Sequence, residues 1–135
     1  MATIPFDWAE FLRLATELSA RPDEASHRAS MSRAYYCVYH KASERAVSTG
    51  YTDQKKHYVL WELYKSNTRD RTCRELAELG AKMHKERKDA DYDPAANRIA
   101  ERTTVQINRA KSFLTKLAAI GAGLPKPRIA GKTGD

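Results

Sequence analysis

The sequence has little cysteine and no long apolar run among its 135 residues. Cys37 and Cys73 are its only cysteines, and we expect them to be small core residues in a reducing cytosol. No apolar stretch approaches the ~18–20 residues that a membrane span needs. The N-terminus, MATIPFDWAEF, lacks the basic and apolar segments of a signal peptide. These absences predict a soluble, cytoplasmic protein with no membrane partner.

The motifs of several enzyme classes are also missing. The sequence contains no glycine-rich phosphate loop, no GxSxG, no HExxH and no CxxC. Its four histidines, His27, His40, His57 and His84, do not have the spacing of metal ligands. We therefore expect no metal site and no cofactor.

Positive charge is in excess, and it is unevenly distributed. The net charge is +7. Residues 1–50 carry 6 basic and 6 acidic side chains, whereas residues 51–120 carry 15 basic and 10 acidic ones. This excess favours a polyanionic partner such as RNA, DNA, a nucleotide or an acidic protein. A well-solvated lysine-rich surface is the alternative interpretation.

Apolar spacing predicts an all-α fold, an antiparallel up-and-down bundle of about five helices. The predicted helices span residues 7–19, 23–48, 53–66, 70–90 and 93–120, the last with Asp93 as N-cap and Pro94 at its first position. The second helix carries two stripes of side chains that neighbouring helices must cover, so it should lie at the centre of the bundle. The apolar run 57–64 could also form a buried strand, but no other segment offers a pairing partner. Residues 1–120 form one predicted domain, followed by a flexible, disordered basic tail at 121–135.

The segment SRAYYCVYH, in the second predicted helix, carries the first set of candidate site residues. Arg33, Tyr36 and His40 are spaced i, i+3, i+7 and face one side of the helix. Short side chains at Ala29 and Ser43 flank them and leave room for a groove. Arginine can bind a phosphate with its planar fork, and histidine can move a proton near neutral pH. The alternative is a set of core side chains with satisfied polar tips.

The second candidate segment, HKERKDADYD, ends the fourth predicted helix. Arg87 continues the apolar seam of that helix, so its charge needs a partner, which Asp91 one turn later can supply. In the functional interpretation, Arg87 and His84 face the same groove as Arg33 and His40. In the structural interpretation, an ion pair at the end of the helix orders the turn that follows. Gly80, earlier in this helix, predicts the close approach of a neighbouring helix.

Together, these segments resemble the HEPN family (higher eukaryotes and prokaryotes nucleotide-binding). The resemblance is carried by SRAYYCVYHKA, by His57 and by ERKDADYDP, and it covers roughly residues 7–120. It implies a four- or five-helix bundle that often forms a homodimer. Many members are metal-independent ribonucleases of toxin–antitoxin and phage-defence systems. Others bind nucleotides without catalysis or accompany a nucleotidyltransferase.

The ribonuclease members share an Arg-x4–6-His motif. Its arginine falls on Arg87, but the positions allowed for the histidine hold Tyr92, Asp93 and Pro94. Arg33 and His40 satisfy the spacing on an earlier helix. The resemblance thus implies that catalytic residues lie among these arginine and histidine side chains. It also implies that neighbouring side chains contact RNA or a nucleotide. The catalytic candidates are Arg33, His40 and Arg87, and the binding candidates are Tyr36, His84, Lys88, Asp91 and Tyr92.

Three functional hypotheses follow. The first is a HEPN-like domain acting on RNA, as a metal-independent endoribonuclease of a toxin–antitoxin or phage-defence system. The second is a non-catalytic nucleotide-binding or adaptor module that partners a nucleotidyltransferase. The third is a structural dimerisation bundle whose basic tail docks an acidic partner.

Overall fold

The computed structural model describes residues 4–127, which form five helices and no strand. The helices are α1 (Ala9–Ser19), α2 (Glu24–Ser48), α3 (His57–Ser66), α4 (Arg71–Tyr92) and α5 (Ile99–Ala119). The predicted all-α bundle is confirmed, and the ambiguous apolar run is helical within α3. None of the helices in the described range is both long enough and apolar enough to cross a membrane.

Helix α2 is the central element of the bundle, as its two stripes predicted. It packs against each of the other four helices. Its first turn is capped by the Asp23 carboxylate, which accepts a hydrogen bond from the Ser26 amide at 2.9 Å. Cys37 on α2 and Cys73 on α4 are buried free thiols, which confirms their predicted core positions. Because α2 is buried on most sides, some of its polar side chains bond to neighbouring helices, as the Ser30 hydroxyl does in donating to the Ala15 oxygen at 2.7 Å.

Two predicted helix starts are wrong. Helix α3 begins at His57, because the Asp53 carboxylate accepts the Lys55 amide at 2.8 Å and Lys55 adopts a positive φ of 55°. Helix α5 begins at Ile99 rather than at Pro94. The Asp93 side chain does accept a backbone amide, that of Ala95 at 2.9 Å, but in a turn that no helix continues.

Arg28 explains why the chain stays non-helical after Asp93. Its guanidinium reaches from α2 and donates hydrogen bonds to backbone carbonyls at the end of α4 and in the following loop. Nη1 lies 3.1 Å from the Ala90 oxygen and 2.8 Å from the Asp93 oxygen, and Nη2 lies 3.4 Å from the Ala96 oxygen. A helix starting at Pro94 would need the Asp93 and Ala96 carbonyls for its own amides.

Arg45, at the opposite end of α2, also donates hydrogen bonds to backbone carbonyls of a neighbouring segment. Its guanidinium donates to carbonyl oxygens at and beyond the end of α5, those of Leu117, Ile120, Gly121 and Leu124. Beyond α5, the Asn67 side chain accepts the Lys126 amide at 2.8 Å. Residues 121–127, which were predicted to belong to a disordered tail, are therefore held against the bundle. The rest of that predicted tail, residues 128–135, lies outside the described residues.

Candidate nucleic-acid site

Aromatic rings, histidines and two arginines gather where α2 meets α1, α3 and α4. We call this group the Tyr36 cluster, after the ring at its centre. Its members are Trp8, Phe11, Arg33, Tyr35, Tyr36, Tyr39, His40, His57, His84 and Arg87.

The three sequence-predicted catalytic residues meet around the Tyr36 ring. The guanidinium carbon of Arg33 lies 5.2 Å from the ring centroid, and that of Arg87 lies 5.1 Å from it. The His40 ring centroid is 6.0 Å away. The two guanidinium distances are those at which a cation is attracted to the face of an aromatic ring. The structure thus brings the candidate segments of α2 and α4 together around one ring.

Arg87 is buried, with 7 % of its surface exposed. The predicted ion pair with Asp91 is confirmed, but it is long, with 3.6 Å between Nη1 and Oδ2. The Ser32 hydroxyl also donates to Asp91, at 3.1 Å. Arg87 Nε is buried without a hydrogen-bond partner among the described residues. A buried donor left unpaired is costly, and because this atom has almost no accessible surface, a ligand acceptor could reach it only if neighbouring side chains moved.

Arg33 is half-buried, and its guanidinium packs against aromatic rings instead of forming an ion pair with any described carboxylate. Its guanidinium carbon lies 4.8 Å from the Phe11 ring centroid, and Nη2 donates to the Ser32 hydroxyl at a long 3.4 Å. Within residues 4–127 no carboxylate forms a salt bridge with it. Most of its donors therefore remain free for a phosphate.

His40 stacks on Trp8, with 3.6 Å between ring centroids and 14° between ring planes. Burial lowers the pKa of His40, and Arg33 lowers it further, whereas Asp53 opposes the shift. The imidazole is therefore uncharged at neutral pH and can accept a proton.

His57 and His84 stack on each other, with 4.6 Å between centroids and 8° between planes. Burial lowers the pKa of His84 to about 4, with further contributions from His57, Lys88 and Arg87. Burial also lowers the pKa of His57, again with Arg87 among the causes. Because both pKa values lie below the ordinary value of 6.5, both imidazoles are mainly uncharged at pH 7.

The remaining predicted residues lie at the rim of the Tyr36 cluster. Lys88 is exposed on α4, and its charge lowers the pKa of both His57 and His84. Tyr92 is 75 % exposed, with its ring centroid 5.7 Å from the Arg87 guanidinium carbon. Asp91 lies between Arg87 and Ser32. Among the described residues of the cluster and its rim, the cations Arg33, Arg87 and Lys88 outnumber the nearby carboxylates Asp53 and Asp91, which favours an anionic ligand.

His57 was not among the predicted site residues, although it lies near the cluster centre, 6.0 Å from Tyr36 and 4.3 Å from Tyr39. Its sequence signal was weak, a histidine just before an apolar run. Trp8 and Phe11 were also missed, because their spacing in the sequence is that of an ordinary core-facing stripe. Only the packing of α1 on α2 shows that they support His40 and Arg33.

Three grooves in the described part of the chain lie away from the cluster, and the groove expected beside Arg33, Tyr36 and His40 is not among them. One groove of about 580 Å³ lies at the α2–α3 loop, lined among others by Tyr51, Val59, Leu63 and Pro127, and by none of the predicted site residues. In the described part of the chain no three or more histidine, cysteine, aspartate or glutamate side chains are grouped so that they could hold a metal ion. A half-buried, basic and aromatic surface suits an extended anionic strand better than a small enclosed ligand.

The fold and the cluster define an all-α bundle with a basic, histidine-bearing aromatic surface. No protein-family model, curated protein or solved structure matches the chain. The HEPN resemblance therefore rests on the sequence motifs alone.

Proposed function

We propose that this chain is a HEPN-like domain that acts on RNA, binding a strand at the Tyr36 cluster and cleaving it without a metal ion. One observation carries the proposal: two guanidiniums and uncharged imidazoles surround a single aromatic ring. Cations recognise the phosphates, the aromatic surface favours unpaired bases, and neutral imidazoles can move protons.

Binding would use the free donors of the two arginines. Arg33 offers most of its fork, because no described carboxylate pairs with it, and Arg87 offers Nη1, whose contact with Asp91 is long. A phosphate between them would replace the weak pairing that Arg87 now has with Asp91 at 3.6 Å. Tyr36 and the exposed Tyr92 would then lie beside the adjacent nucleotide.

Cleavage would proceed by transesterification at one phosphate. His40 takes the proton of the 2′-hydroxyl, the 2′-oxygen forms a bond to phosphorus, and the bond from phosphorus to the 5′-oxygen breaks. A water molecule or the protonated imidazole returns a proton to the leaving oxygen. The two arginines stabilise the negative charge that builds on the phosphoryl oxygens. The products are a 2′,3′-cyclic phosphate and a 5′-hydroxyl end.

The test is an RNA cleavage assay in EDTA with mass-spectrometric identification of the product ends. Wild type is expected to leave cyclic phosphates, and His40→Ala to lose about 100-fold in rate. His27→Ala is the matched control, because His27 lies on the same helix but bonds the Arg21 carbonyl outside the cluster. Full activity in His40→Ala and in Arg87→Ala would remove the cluster as the active site.

The second candidate is a non-catalytic nucleotide-binding or adaptor module. It is favoured by the residues that follow Arg87, where Tyr92, Asp93 and Pro94 replace the expected histidine. Calorimetric binding of nucleotides by a wild type that leaves RNA intact would support it.

The resemblance also extends the proposal to partners. We propose that the chain forms a homodimer and lies in the cytoplasm. We also propose that it has an antitoxin or a nucleotidyltransferase as partner. Light scattering on the purified chain tests the dimer, and co-purification with the product of a neighbouring gene tests the partner.

A further inference from the structure

Tyr35 connects the buried core to the Tyr36 cluster through its hydroxyl. Its side chain is fully buried. The Trp61 indole Nε1 lies 3.2 Å from the Tyr35 Oη, and His57 Nδ1 lies 2.6 Å from the same oxygen. The three side chains come from α2 and α3, so the chain of hydrogen bonds spans two helices.

The direction of these hydrogen bonds follows from what each group can donate. An indole nitrogen can only donate, so Tyr35 Oη accepts from Trp61. Burial raises the pKa of the Tyr35 phenol, so the hydroxyl keeps its proton. The acceptor left for that proton among the described residues is His57 Nδ1. An imidazole that accepts at Nδ1 and is uncharged carries its own proton on Nε2.

We propose that Tyr35 is a positioning residue that holds His57 in its Nε2–H tautomer, so that His57 donates a hydrogen bond to the phosphate of a bound RNA strand. The phosphate contact rests on the proposed function, whereas the tautomer does not. His57 Nε2 has no hydrogen-bond partner among residues 4–127 and is free to make this contact.

The surroundings of His57 favour an uncharged donor there. The titratable and charged groups that face it are Tyr35, Tyr36, Tyr39 and His40 from α2, and His84, Arg87 and Lys88 from α4. A positively charged His57 would be repelled by Arg87. A neutral His57 can still donate a directed hydrogen bond from its N–H without that repulsion. The stacked His84 ring fixes the plane of the imidazole.

The first measurement is long-range ¹H–¹⁵N NMR of the histidine rings at pH 7 on the full chain. The expected result for wild type is a His57 ring with its proton on Nε2. Tyr35→Phe is expected to release that preference and give a mixture of tautomers. Tyr39→Phe is the matched control, because Tyr39 packs on the same ring at 4.3 Å but shares no hydrogen bond with it. A His57 proton on Nδ1 in wild type overturns the inference without need of any variant.

The second measurement adds a 2′-O-methyl RNA oligonucleotide, which can bind but cannot be cleaved. The expected result is a shift of the His57 Nε2–H resonance and, in Tyr35→Phe, binding weakened about five- to tenfold. RNA binding that leaves the resonance unmoved overturns the phosphate contact. Absence of RNA binding with the tautomer intact overturns the proposed function and the phosphate contact, and supports positioning by Tyr35.

Discussion

The Trp61 indole occupies the space in which a side chain at Gly80 would lie. A β-carbon built on Gly80 would stand 2.5 Å from two atoms of the indole ring, Cε3 and Cζ3. Gly80 is the point of close approach between α4 and α3, which its place in a helical seam predicted. Trp61 in turn bonds Tyr35, so this contact also sets the position of the cluster.

Gly80→Ala should therefore destabilise the protein. The gain in helix propensity, about 1 kcal/mol, is smaller than the about 1–3 kcal/mol of overpacking against a rigid ring, so stability should fall. Urea unfolding followed by circular dichroism measures the difference. Gly121→Ala is the matched control, because its β-carbon would meet only Leu124, at 3.8 Å. An equally stable Gly80→Ala would mean that α3 can move away from α4 at little cost.

Replacing Arg45 should loosen the segment after α5. Arg45→Met removes the donors of the Leu117, Ile120, Gly121 and Leu124 carbonyls. A loss of about 2–3 kcal/mol is expected, because charge-assisted bonds to partly buried carbonyls are lost together. Chemical denaturation gives the change in the free energy of unfolding. Faster hydrogen exchange in residues 117–127 would show that the loosening is in this segment.

The matched control for Arg45 is Arg13→Met on α1. Arg13 forms ion pairs with Glu10 and Glu17 on an exposed surface. Such pairs contribute little, so the unfolding midpoint should stay at its wild-type value. Equal effects of the two substitutions would show that arginine content, and not the carbonyl contacts of Arg45, determines stability.

Stability should fall as the solution is acidified through the range in which histidines titrate. The pKa of His84 in the folded protein is lowered to about 4, below the ordinary value of 6.5. Between pH 4 and pH 6.5, His84 is protonated in the unfolded chain but uncharged in the folded chain. Unfolding therefore becomes easier as pH falls from about 6.5 to about 4. Above pH 6.5 both states are neutral at this residue and the effect is absent.

The variant His84→Gln tests this assignment. Its stability relative to wild type should rise as pH falls from 8 to 4.5, measured by urea unfolding at each pH. Part of the pH dependence should remain, because the pKa values of His40 and His57 are also lowered. A constant difference between His84→Gln and wild type at every pH would contradict the burial of a neutral imidazole.

RNA binding should weaken with salt, and Arg33 should account for part of that dependence. For a single strand, each phosphate that is neutralised contributes about 0.7 to the slope of log affinity against log salt. Arg33→Gln is expected to lower the slope by about that amount. Lys111→Gln should leave the slope unchanged, because Lys111 is exposed on α5, a helix that contributes no member of the cluster. Fluorescence anisotropy across a salt series measures both variants.

Local patterns predicted most of the fold. The apolar seam of α4, with Leu76, Met83 and Ala90, is buried as its spacing required. The helix start at residue 53 was wrong because of the local turn at Asp53 and Lys55, and the start at residue 93 because an aspartate cap is a local signal. At Asp93 it competes with the Arg28 contacts, which come from a residue 65 positions away.

The candidate site was predictable in part for the same reason. Arg33, Tyr36 and His40 share one face of a helix, so the sequence alone could group them. His57 could not be placed, because its position depends on stacking with His84 across two helices. Tyr35 was not among the predicted site residues either, because the hydrogen bond from its hydroxyl to His57 is a tertiary contact that no spacing predicts.

The contacts of Arg28 have a consequence for how this surface could change. The guanidinium holds the loop after α4 through main-chain oxygens alone. Exchanging a side chain in that loop therefore leaves the anchor intact, and Tyr92 at its edge keeps its place next to Arg87. The rim of the cluster is thus a position where new ligand preferences could evolve, or be engineered, without refolding the bundle beneath it.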